Sequence, residues 1–482
     1  MKNSSGNNRH RVQSLVVAGL SGGSGKSVVS IGLIAAMRQR GKRVRPFKKG
    51  PDYIDAGWLA RAAGRPCYNL DPYLMSGDEI VDSFRQHSAG MDIAVVEGNR
   101  GLYDGVNPEG GYSTAELAIR LGLPVLLVVN CSKTTRTIAA LVLGCRQLDP
   151  RVQISGVILN QIATSRHESI IRQAVENDTD VRVLGIVPRL KRDIFPMRHL
   201  GVTPHQEYDA AEEAISRLAD VARQHFDLAG IAALMRGRET DSCGREISSR
   251  TGGGGRVRVG ILRDAAFQFY YEENLDALRR GGAELVMIDA LEANSLPLTL
   301  DGLYIGGGFP ETSAGKLAAN ISFRESVRAA AERGMPIYAE CGGLIFLGER
   351  IVLDTTSYPL VGVFPITFGI SPKPQAHGYS IFTVEKETPF YPVGTRVKGH
   401  EFRYSTILHW GGQPEQLPLK MERGTGFMAG RDGLVHRNVL ALYTHIIAPG
   451  TPRWAEGFLA RAAGWRQERE RGPLPHERPG PS

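Results

Sequence analysis

Cysteine is scarce in this sequence, and the few cysteines are scattered along the chain. The 482 residues include five, at positions 67, 131, 145, 243 and 341. None has the spacing of a disulfide framework or a zinc site, so we expect free thiols in a reducing cytoplasm. Long apolar runs are missing as well. No stretch reaches the roughly 18 residues of a membrane span, and the N-terminus has no signal-peptide core. These absences predict a cytoplasmic protein without a membrane partner.

A strong excess of one charge is also missing. Lysine and arginine number 58 against 50 aspartate and glutamate residues, which gives a formal net charge of +8. No basic helix carries interleaved aromatic residues, so we expect no nucleic-acid partner. Hydrophobic residues make up 42% of the chain and charged residues 22%, as in ordinary globular proteins. A chain of this length exceeds one ordinary core and predicts two or three domains.

Strands alternate with helices from residue 13 to residue 232. The segment 27–41, "SVVSIGLIAAMRQRG", has helical periodicity and ends at a glycine. Four unbroken apolar runs predict buried strands, at 14–19, 91–98, 123–130 and 153–160. Such strands between helices are typical of a parallel sheet with both faces covered. We therefore predict an α/β domain over 13–232, preceded by a flexible N-terminus over 1–12.

A polar, glycine-rich stretch follows, and then the α/β pattern begins again. Residues 233–255 lack periodicity and predict a linker. Three strand-like runs come after it, at 256–264, 301–311 and 335–343. They predict a second, different α/β domain over 256–466. The charged and proline-rich end, 467–482, predicts a disordered tail.

The stretch "GLSGGSGKSVVS" (19–30) lies between a predicted strand and a predicted helix, where phosphate-binding loops occur. We expect loop amides and the helix N-terminus to bind phosphate groups, through Gly22, Gly23, Ser24 and Gly25. Lys26 would reach the β and γ phosphates of ATP, and the Ser27 hydroxyl would bind Mg²⁺. Leu20 stands where the strict motif has glycine. A glycine-rich turn without a ligand is therefore the alternative.

Carboxylates at the ends of further strands fit this metal ion. Glu97 lies at the end of the run 91–98, and Asp52 and Asp55 follow another strand. Side chains at these strand ends project toward the ligand edge of a parallel sheet. We predict that the three carboxylates hold Mg²⁺ together with Ser27, although each alone could cap a helix. Asn160, after another strand, is predicted to read the adenine edge.

Cys341 follows the apolar run "MPIYAE" and precedes two glycines and a second apolar run, which indicates a strand, a sharp turn and a helix. A cysteine on such a turn is a candidate nucleophile, and a buried inert cysteine is the alternative. His445, at the end of "LALYTH", is the candidate base. A glycine-rich loop and the turn are predicted to form an oxyanion hole, from Gly307, Gly308 and Gly342.

Several motifs together resemble the cobyrinic acid a,c-diamide synthase family, CbiA: "GGSGKS", "FKKGPDYID", "EGNRGLYDG", "GGGFPE", "AECGG" and "GHEFRYS". The resemblance covers about residues 13 to 465. It implies an N-terminal P-loop domain like dethiobiotin synthetase and a C-terminal domain like the class I glutamine amidotransferases. It also implies that ATP activates the a and c acetate carboxylates of a tetrapyrrole as acyl phosphates, which ammonia from glutamine then amidates. Mg²⁺ would accompany ATP, and the resemblance leaves a homodimer open.

The resemblance also implies an acceptor site, in which Asp104 would position the carboxylate and Tyr53 would contact the substrate. Two cations, Lys49 and Arg100, stand where the family more often has uncharged residues, and we expect them to bind other carboxylates of the macrocycle. These departures resemble a DsrN-like branch proposed to amidate sirohaem, so sirohaem or sirohydrochlorin is the alternative substrate. Many class I amidotransferases have a carboxylate two residues after the histidine, where this chain has Ile447. This weakens the expectation of a triad.

Two other classes of protein are alternatives for this sequence. A partition-type ATPase would bind a partner through nucleotide-dependent dimerisation. Such ATPases usually have a lysine where this chain has Ser21, and they lack a glutaminase domain. A ligase that takes free ammonia would leave the second domain inert, and the intact pair of Cys341 and His445 argues against it.

Overall fold

The computed structural model describes residues 10–190, 197–198, 201–202, 206, 208, 210–240, 256–451 and 453–471. The chain divides into two compact units, Met1–Glu246 and Ile247–Ser482. Within the described ranges, every helix is too short or too polar to cross a membrane.

The first unit contains the alternating strands and helices that the sequence predicts. Its strands are β1 His10–Gly19, β2 Val44–Lys49, β3 Tyr68–Leu70, β4 Ile93–Glu97, β5 Val125–Asn130, β6 Ile154–Ile162, β7 Val183–Pro188, β8 Met197–Arg198, β9 Gly201–Val202 and β10 Arg236–Thr240. Its helices are α1 Lys26–Gln39, α2 Ile54–Ala63, α3 Gly77–Ser88, α4 Thr114–Leu121, α5 Thr137–Leu148, α6 Ser165–Thr179, α7 Ala211–His225 and α8 Leu228–Leu234.

Seven of these strands form a parallel sheet in the order β3-β2-β4-β1-β5-β6-β7. The apolar runs of the central strands β1, β4 and β5 are buried, as in a parallel sheet with both faces covered, which confirms the predicted architecture. Helix α1 follows β1 after the loop 20–25 and contacts both α2 and α7. The carboxyl ends of β1, β2, β4 and β6 therefore lie along one edge, and this edge carries the predicted phosphate site.

Three predicted boundaries are wrong by a few residues. Strand β1 begins at His10, inside the segment predicted to be flexible, because it pairs with β10 in antiparallel register, His10 opposite Thr240. The predicted linker starts too early for the same reason, since α8 and β10 occupy 228–240. At the other end, α13 (Arg453–Arg471) extends five residues into the predicted tail. The rest of the predicted linker and both outer ends lie outside the described residues.

The second unit is also α/β. Its strands are β11 Arg258–Leu262, β12 Glu284–Ile288, β13 Gly302–Ile305, β14 Ile337–Glu340, β15 Arg350–Leu353, β16 Thr356–Pro359, β17 Ile366–Ile370, β18 Ala376–Val384, β19 Arg396–Arg403, β20 Ser405–Trp410, β21 Leu419–Arg423, β22 Arg431–Asp432, β23 Leu434–His436 and β24 Val439–Leu442. Its helices are α9 Glu272–Arg280, α10 Ala314–Ala319, α11 Ile321–Glu332, α12 Gly342–Leu347 and α13.

A six-stranded sheet in the order β12-β11-β13-β14-β24-β23 organises this unit, with only β23 antiparallel. Two four-stranded sheets, β16-β15-β17-β20 and β19-β18-β21-β22, accompany it. Because β13, β14 and β24 are parallel neighbours, the loops after them meet at one edge. Those loops carry Gly307, Cys341 and His445, so the sheet brings the predicted glutaminase residues together.

Candidate active sites

The loop between β1 and α1 has the backbone of a phosphate-binding loop. Gly23 and Gly25 adopt positive φ angles of 74° and 97°, which glycine tolerates without steric cost. Ser24 Oγ accepts a hydrogen bond from Ser21 N at 3.0 Å and donates one to Ser21 O at 2.9 Å, so the turn is held from within. A Cβ atom at Gly22 or Gly23 would meet no atom within 4 Å. The loop is therefore open to its surroundings at these two glycines.

Asn160 supports this loop from β6. Its Nδ2 atom donates to Ser24 O at 2.8 Å, and its Oδ1 atom accepts from Gln161 N at 2.8 Å. A side chain at Gly25 would collide with it, because an added Cβ would lie 2.1 Å from Asn160 Nδ2. Asn160 is buried and uses its amide inside the protein. Asn160 therefore shapes the loop, and its contact with the adenine edge stays a prediction.

Lys26 lies on the inner side of the loop. Its Nζ atom donates to Ser21 O at 3.1 Å and to Arg100 O at 2.7 Å, so it joins the loop to the segment after β4. Burial, together with the positive charge of Lys48, lowers the pKa of Lys26. Both acceptors are neutral carbonyl oxygens, so a phosphate oxygen that replaced one of them would form a stronger, charge-assisted bond.

The predicted carboxylates come together around a lysine that the sequence analysis did not single out. Lys48 Nζ lies 2.6 Å from Asp55 Oδ2 and 2.6 Å from Glu97 Oε1. Ser27 Oγ donates to the same Glu97 oxygen at 3.1 Å. Asp52 Oδ1 accepts from Asp55 N at 2.9 Å, and burial, together with the charge of Asp55, raises the pKa of Asp52 to about 7.

This arrangement bears on the predicted metal site, in which Asp52 and Asp55 stay predicted ligands. In the part of the chain that the structure describes, no three acidic, histidine or cysteine side chains gather as a metal site. The Lys48 ammonium occupies the space between Asp55 and Glu97 that a shared cation would need. Glu97 Oε2, however, is buried without a hydrogen-bond partner among the described residues. Together with the neighbouring Ser27 hydroxyl, it fits Mg²⁺, which takes few protein ligands and keeps several waters.

The predicted acceptor residues surround the same edge of the sheet. Lys49, at the end of β2, is buried, and burial lowers its pKa while the charge of Asp71 opposes this effect. The Arg100 side chain is exposed, and its backbone has a positive φ of 52°. Asp104 Oδ2 accepts from Gly101 N at 2.8 Å and so fixes this turn. Tyr53 is half-buried at the start of α2.

Cys341 stands on a strained turn between β14 and α12. Its φ and ψ angles are 47° and −96°, a conformation that residues other than glycine rarely adopt and that clusters at active sites. Its backbone N–H donates to Leu442 O at 2.8 Å in the neighbouring strand, which holds the turn in place. Cys341 is 6% exposed, and it is the N-cap residue of α12, where the partial positive charge of a helix lies.

His445 is the partner of this cysteine. Its Nδ1 atom lies 3.2 Å from Glu340 Oε2, and both side chains are almost fully buried. Burial alone would lower the pKa of His445, but hydrogen bonds to Cys341 and Glu340 raise it to about 10. The imidazole is therefore held between the thiol and a carboxylate, which suits a thiolate–imidazolium pair.

The three glycines of the predicted oxyanion hole lie in close contact with these residues. A Cβ at Gly307 would lie 2.5 Å from His445 Cε1, and one at Gly342 would lie 2.9 Å from Gly308 N. A larger residue at Gly307 would collide with His445, and one at Gly342 would collide with Gly308, so both positions require glycine. Among the described residues, no backbone hydrogen bond outside regular elements uses the amides of Gly307 and Gly308. These amides can donate to a developing oxyanion.

Both units match known families. Residues 15–200 match the model of the CobQ/CobB/MinD/ParA nucleotide binding domain, and residues 258–452 match that of the CobB/CobQ-like glutamine amidotransferase domain. A cobyrinate a,c-diamide synthase of Magnetococcus marinus is 41% identical, and the match covers 95% of this chain and 98% of that protein. The enzyme of the same name from Archaeoglobus fulgidus is 37% identical, over 93% and 97% of the two chains. This chain belongs to the cobyrinate a,c-diamide synthase family.

Family membership confirms the resemblance drawn from the motifs, the ATP-type first domain and the glutamine amidotransferase second domain. It also argues against a partition-type ATPase, because the relatives match along both units. Two residues that the sequence analysis did not single out, Lys48 and Glu340, contact the predicted site residues. Glu340 and Glu97 each end an apolar strand at the ligand edge, and this shared position is the signal that could have identified Glu340.

Proposed function

We propose that this protein amidates the a and c acetate carboxylates of cobyrinate, with ATP as the activating substrate and glutamine as the nitrogen donor. The observation that carries the proposal is the pairing of Cys341 with His445 in a chain that is 41% identical to a cobyrinate a,c-diamide synthase over 95% of its length. A phosphate loop in the first unit and a nucleophilic thiol in the second supply the two half-reactions.

The second unit would release ammonia. The Cys341 thiolate attacks the side-chain amide carbon of glutamine, and the Gly307 and Gly308 amides stabilise the oxygen that becomes negative. The carbon–nitrogen bond then breaks, and His445 gives its proton to the departing nitrogen. Water hydrolyses the resulting thioester to glutamate and restores the thiol.

The first unit would activate the acceptor. A carboxylate oxygen of the macrocycle attacks the γ-phosphorus of ATP, ADP departs, and an acyl phosphate remains. Lys26 stabilises the transferring charge, and the glycine-rich loop holds the phosphates. Ammonia attacks the acyl carbon, phosphate leaves, and a proton is released to the solvent. Ser27 and Glu97 would hold Mg²⁺, which supplies charge neutralisation at the phosphates.

Lys49 and Arg100 would bind those carboxylates of the macrocycle that are not being amidated. A tetrapyrrole with acetate and propionate arms is a polyanion, and charge-assisted bonds contribute about 1.5–3 kcal/mol each. Asp104 holds the turn that presents Arg100, so its proposed effect on the acceptor is exerted through this segment.

A substrate panel tests the proposal. The purified full-length protein is incubated with ATP, Mg²⁺ and glutamine in the presence of cobyrinate, sirohaem or sirohydrochlorin, and products are read by mass. Each replacement of a carboxyl OH by NH₂ lowers the mass by about one unit. Two such changes on cobyrinate, dependent on both ATP and glutamine, are the expected result. Amidation of sirohaem or sirohydrochlorin alone would assign the protein to the alternative substrate.

A further inference from the structure

We propose that Glu340 is the residue that positions His445, so that the glutaminase site contains a carboxylate supplied from the nucleophile's own strand. This inference rests on the proposed glutamine chemistry. Position 447, two residues after the histidine, is a fully buried isoleucine and offers no carboxylate. Glu340 Oε2, in contrast, lies 3.2 Å from His445 Nδ1, with 0% and 2% of the two side chains exposed.

The strained turn explains how two neighbouring residues reach one imidazole. Successive side chains of an extended strand point to opposite faces of the sheet, so Glu340 and Cys341 should face apart. The positive φ of 47° at Cys341 breaks this alternation directly after Glu340, the last residue of β14. Hydrogen bonds to both residues raise the pKa of His445. One turn therefore presents the acid to Nδ1 and leaves the other ring nitrogen for the thiol.

The remaining groups around His445 do not replace this carboxylate. His400 of β19 stacks on it, with ring centroids 5.0 Å apart and an interplanar angle of 24°. Burial and the charge of His445 lower the pKa of His400 well below 6.5, so His400 is neutral at physiological pH. The glycine loop also lies against the ring, since an added Cβ at Gly307 would lie 2.5 Å from His445 Cε1. Glu340 is thus an acidic partner of the imidazolium, 3.2 Å from its Nδ1 atom.

A carboxylate at Nδ1 has two effects on a histidine base. It accepts the Nδ1 proton, which fixes the tautomer so that Nε2 can take the thiol proton, and it stabilises the imidazolium that results. A residue that merely filled space would have neither effect. A glutamine side chain at position 340 would keep the size of Glu340 but not its charge. Glu340→Gln therefore distinguishes a positioning role from a packing role.

The test uses the full-length protein and compares Glu340→Gln, Glu340→Asp and the wild type. We expect Glu340→Gln to lower kcat of glutamine hydrolysis by about a hundredfold or more, with KM for glutamine changed by less than about threefold. Amidation supported by ammonium salts should stay within about twofold of the wild type. Glu340→Asp keeps the charge and should recover part of the loss. The matched control is Asp301→Asn, another buried carboxylate of this unit that ion-pairs with Arg469 far along the chain.

A second readout follows the thiol directly. Alkylation of the Cys341 peptide by iodoacetamide is measured by mass from pH 5 to pH 10, in the folded protein. In Glu340→Gln the pH of half-maximal alkylation should rise by about one unit or more, because the imidazolium that stabilises the thiolate is weakened. An unshifted profile with glutamine-dependent kcat within about threefold of the wild type would overturn the inference. A wild type without any glutaminase activity would instead overturn the proposed function.

Discussion

Lys48 Nζ lies 2.6 Å from Glu97 Oε1, and neither side chain has appreciable exposure to solvent. The same ammonium contacts Asp55, so one cation balances two carboxylates inside the first unit. Removing one member of a buried ion pair leaves an uncompensated charge and typically costs about 3–5 kcal/mol. We therefore expect Lys48→Met to destabilise the first unit by that amount, measured by hydrogen exchange of peptides from β2 and β4. The control is Arg43→Ala, which breaks a half-exposed pair with Asp92 and should cost less than about 1 kcal/mol.

Cys341→Ser should separate the two nitrogen sources. Hydroxyl is a far weaker nucleophile than thiolate, so glutamine-supported amidation should fall below detection. Ammonium-supported amidation should remain, since activation of the acceptor does not use the thiol. Cys145→Ser, a half-buried cysteine of the other unit, is the control and should behave as wild type with both donors. Equal loss with both donors in Cys341→Ser would contradict the assigned role.

Lys26→Ala should show the opposite pattern. Without its ammonium the γ-phosphoryl transfer is unassisted, so ATP-dependent turnover should fall about a hundredfold or more with either nitrogen donor. Glutamine hydrolysis at Cys341 should persist. Lys42→Ala, an exposed lysine after the same helix, should leave both activities unchanged. Normal ATP turnover in Lys26→Ala would exclude the phosphate-loop assignment.

Arg100→Ala tests the acceptor site. Loss of one charge-assisted bond of about 1.5–3 kcal/mol should raise KM for the tetrapyrrole about tenfold or more. The KM values for ATP and glutamine should stay nearly constant. The control is Arg151→Ala, an exposed arginine of the same unit that pairs with Asp149. If only the ATP constant moves, Arg100 belongs to the nucleotide site.

Asp52 predicts a pH-dependent stability. Burial, together with Asp55, raises its pKa from 3.8 to about 7, so the native state holds a proton that the unfolded state loses near pH 4. The contribution of Asp52 to the free energy of unfolding is fully present below that pH and falls as pH rises toward 7. Asp52→Asn has no carboxyl to ionise and so avoids this loss. Its melting temperature should match the wild type near pH 4 and exceed it by a few degrees at pH 8, and a constant difference across this range would contradict the assignment.

The sequence predicted the sheets because their strands are long apolar runs, and it predicted Lys26, Cys341 and His445 because each follows such a run. Residues whose roles depend on contacts from distant segments were missed. Lys48 lies near the end of β2, and only the fold brings Glu97 next to it, 49 residues away. Likewise, Asn160 is 136 residues from Ser24, so the sequence could not reveal that its amide holds the loop.

The predicted domain boundaries were wrong where polar segments form strands or helices. Strand β10, "RGRET", contains no apolar residue, and nothing in its composition predicts a strand. Its hydrogen bonds come from β1, and its side chains remain largely exposed. Strand β10 therefore forms because its backbone pairs with β1, although its residues have low strand propensity.

The antiparallel pairing of His10 with Thr240 has a consequence for how this chain can be divided. The first and last described strands of the first unit, β1 and β10, therefore lie side by side, with His10 and Thr240 as neighbours. Units with adjacent ends tolerate circular permutation and transplantation between proteins. The first unit is thus a candidate for circular permutation. A short glycine-rich segment would join residues 10 and 240, and new termini would be made in a distant surface loop.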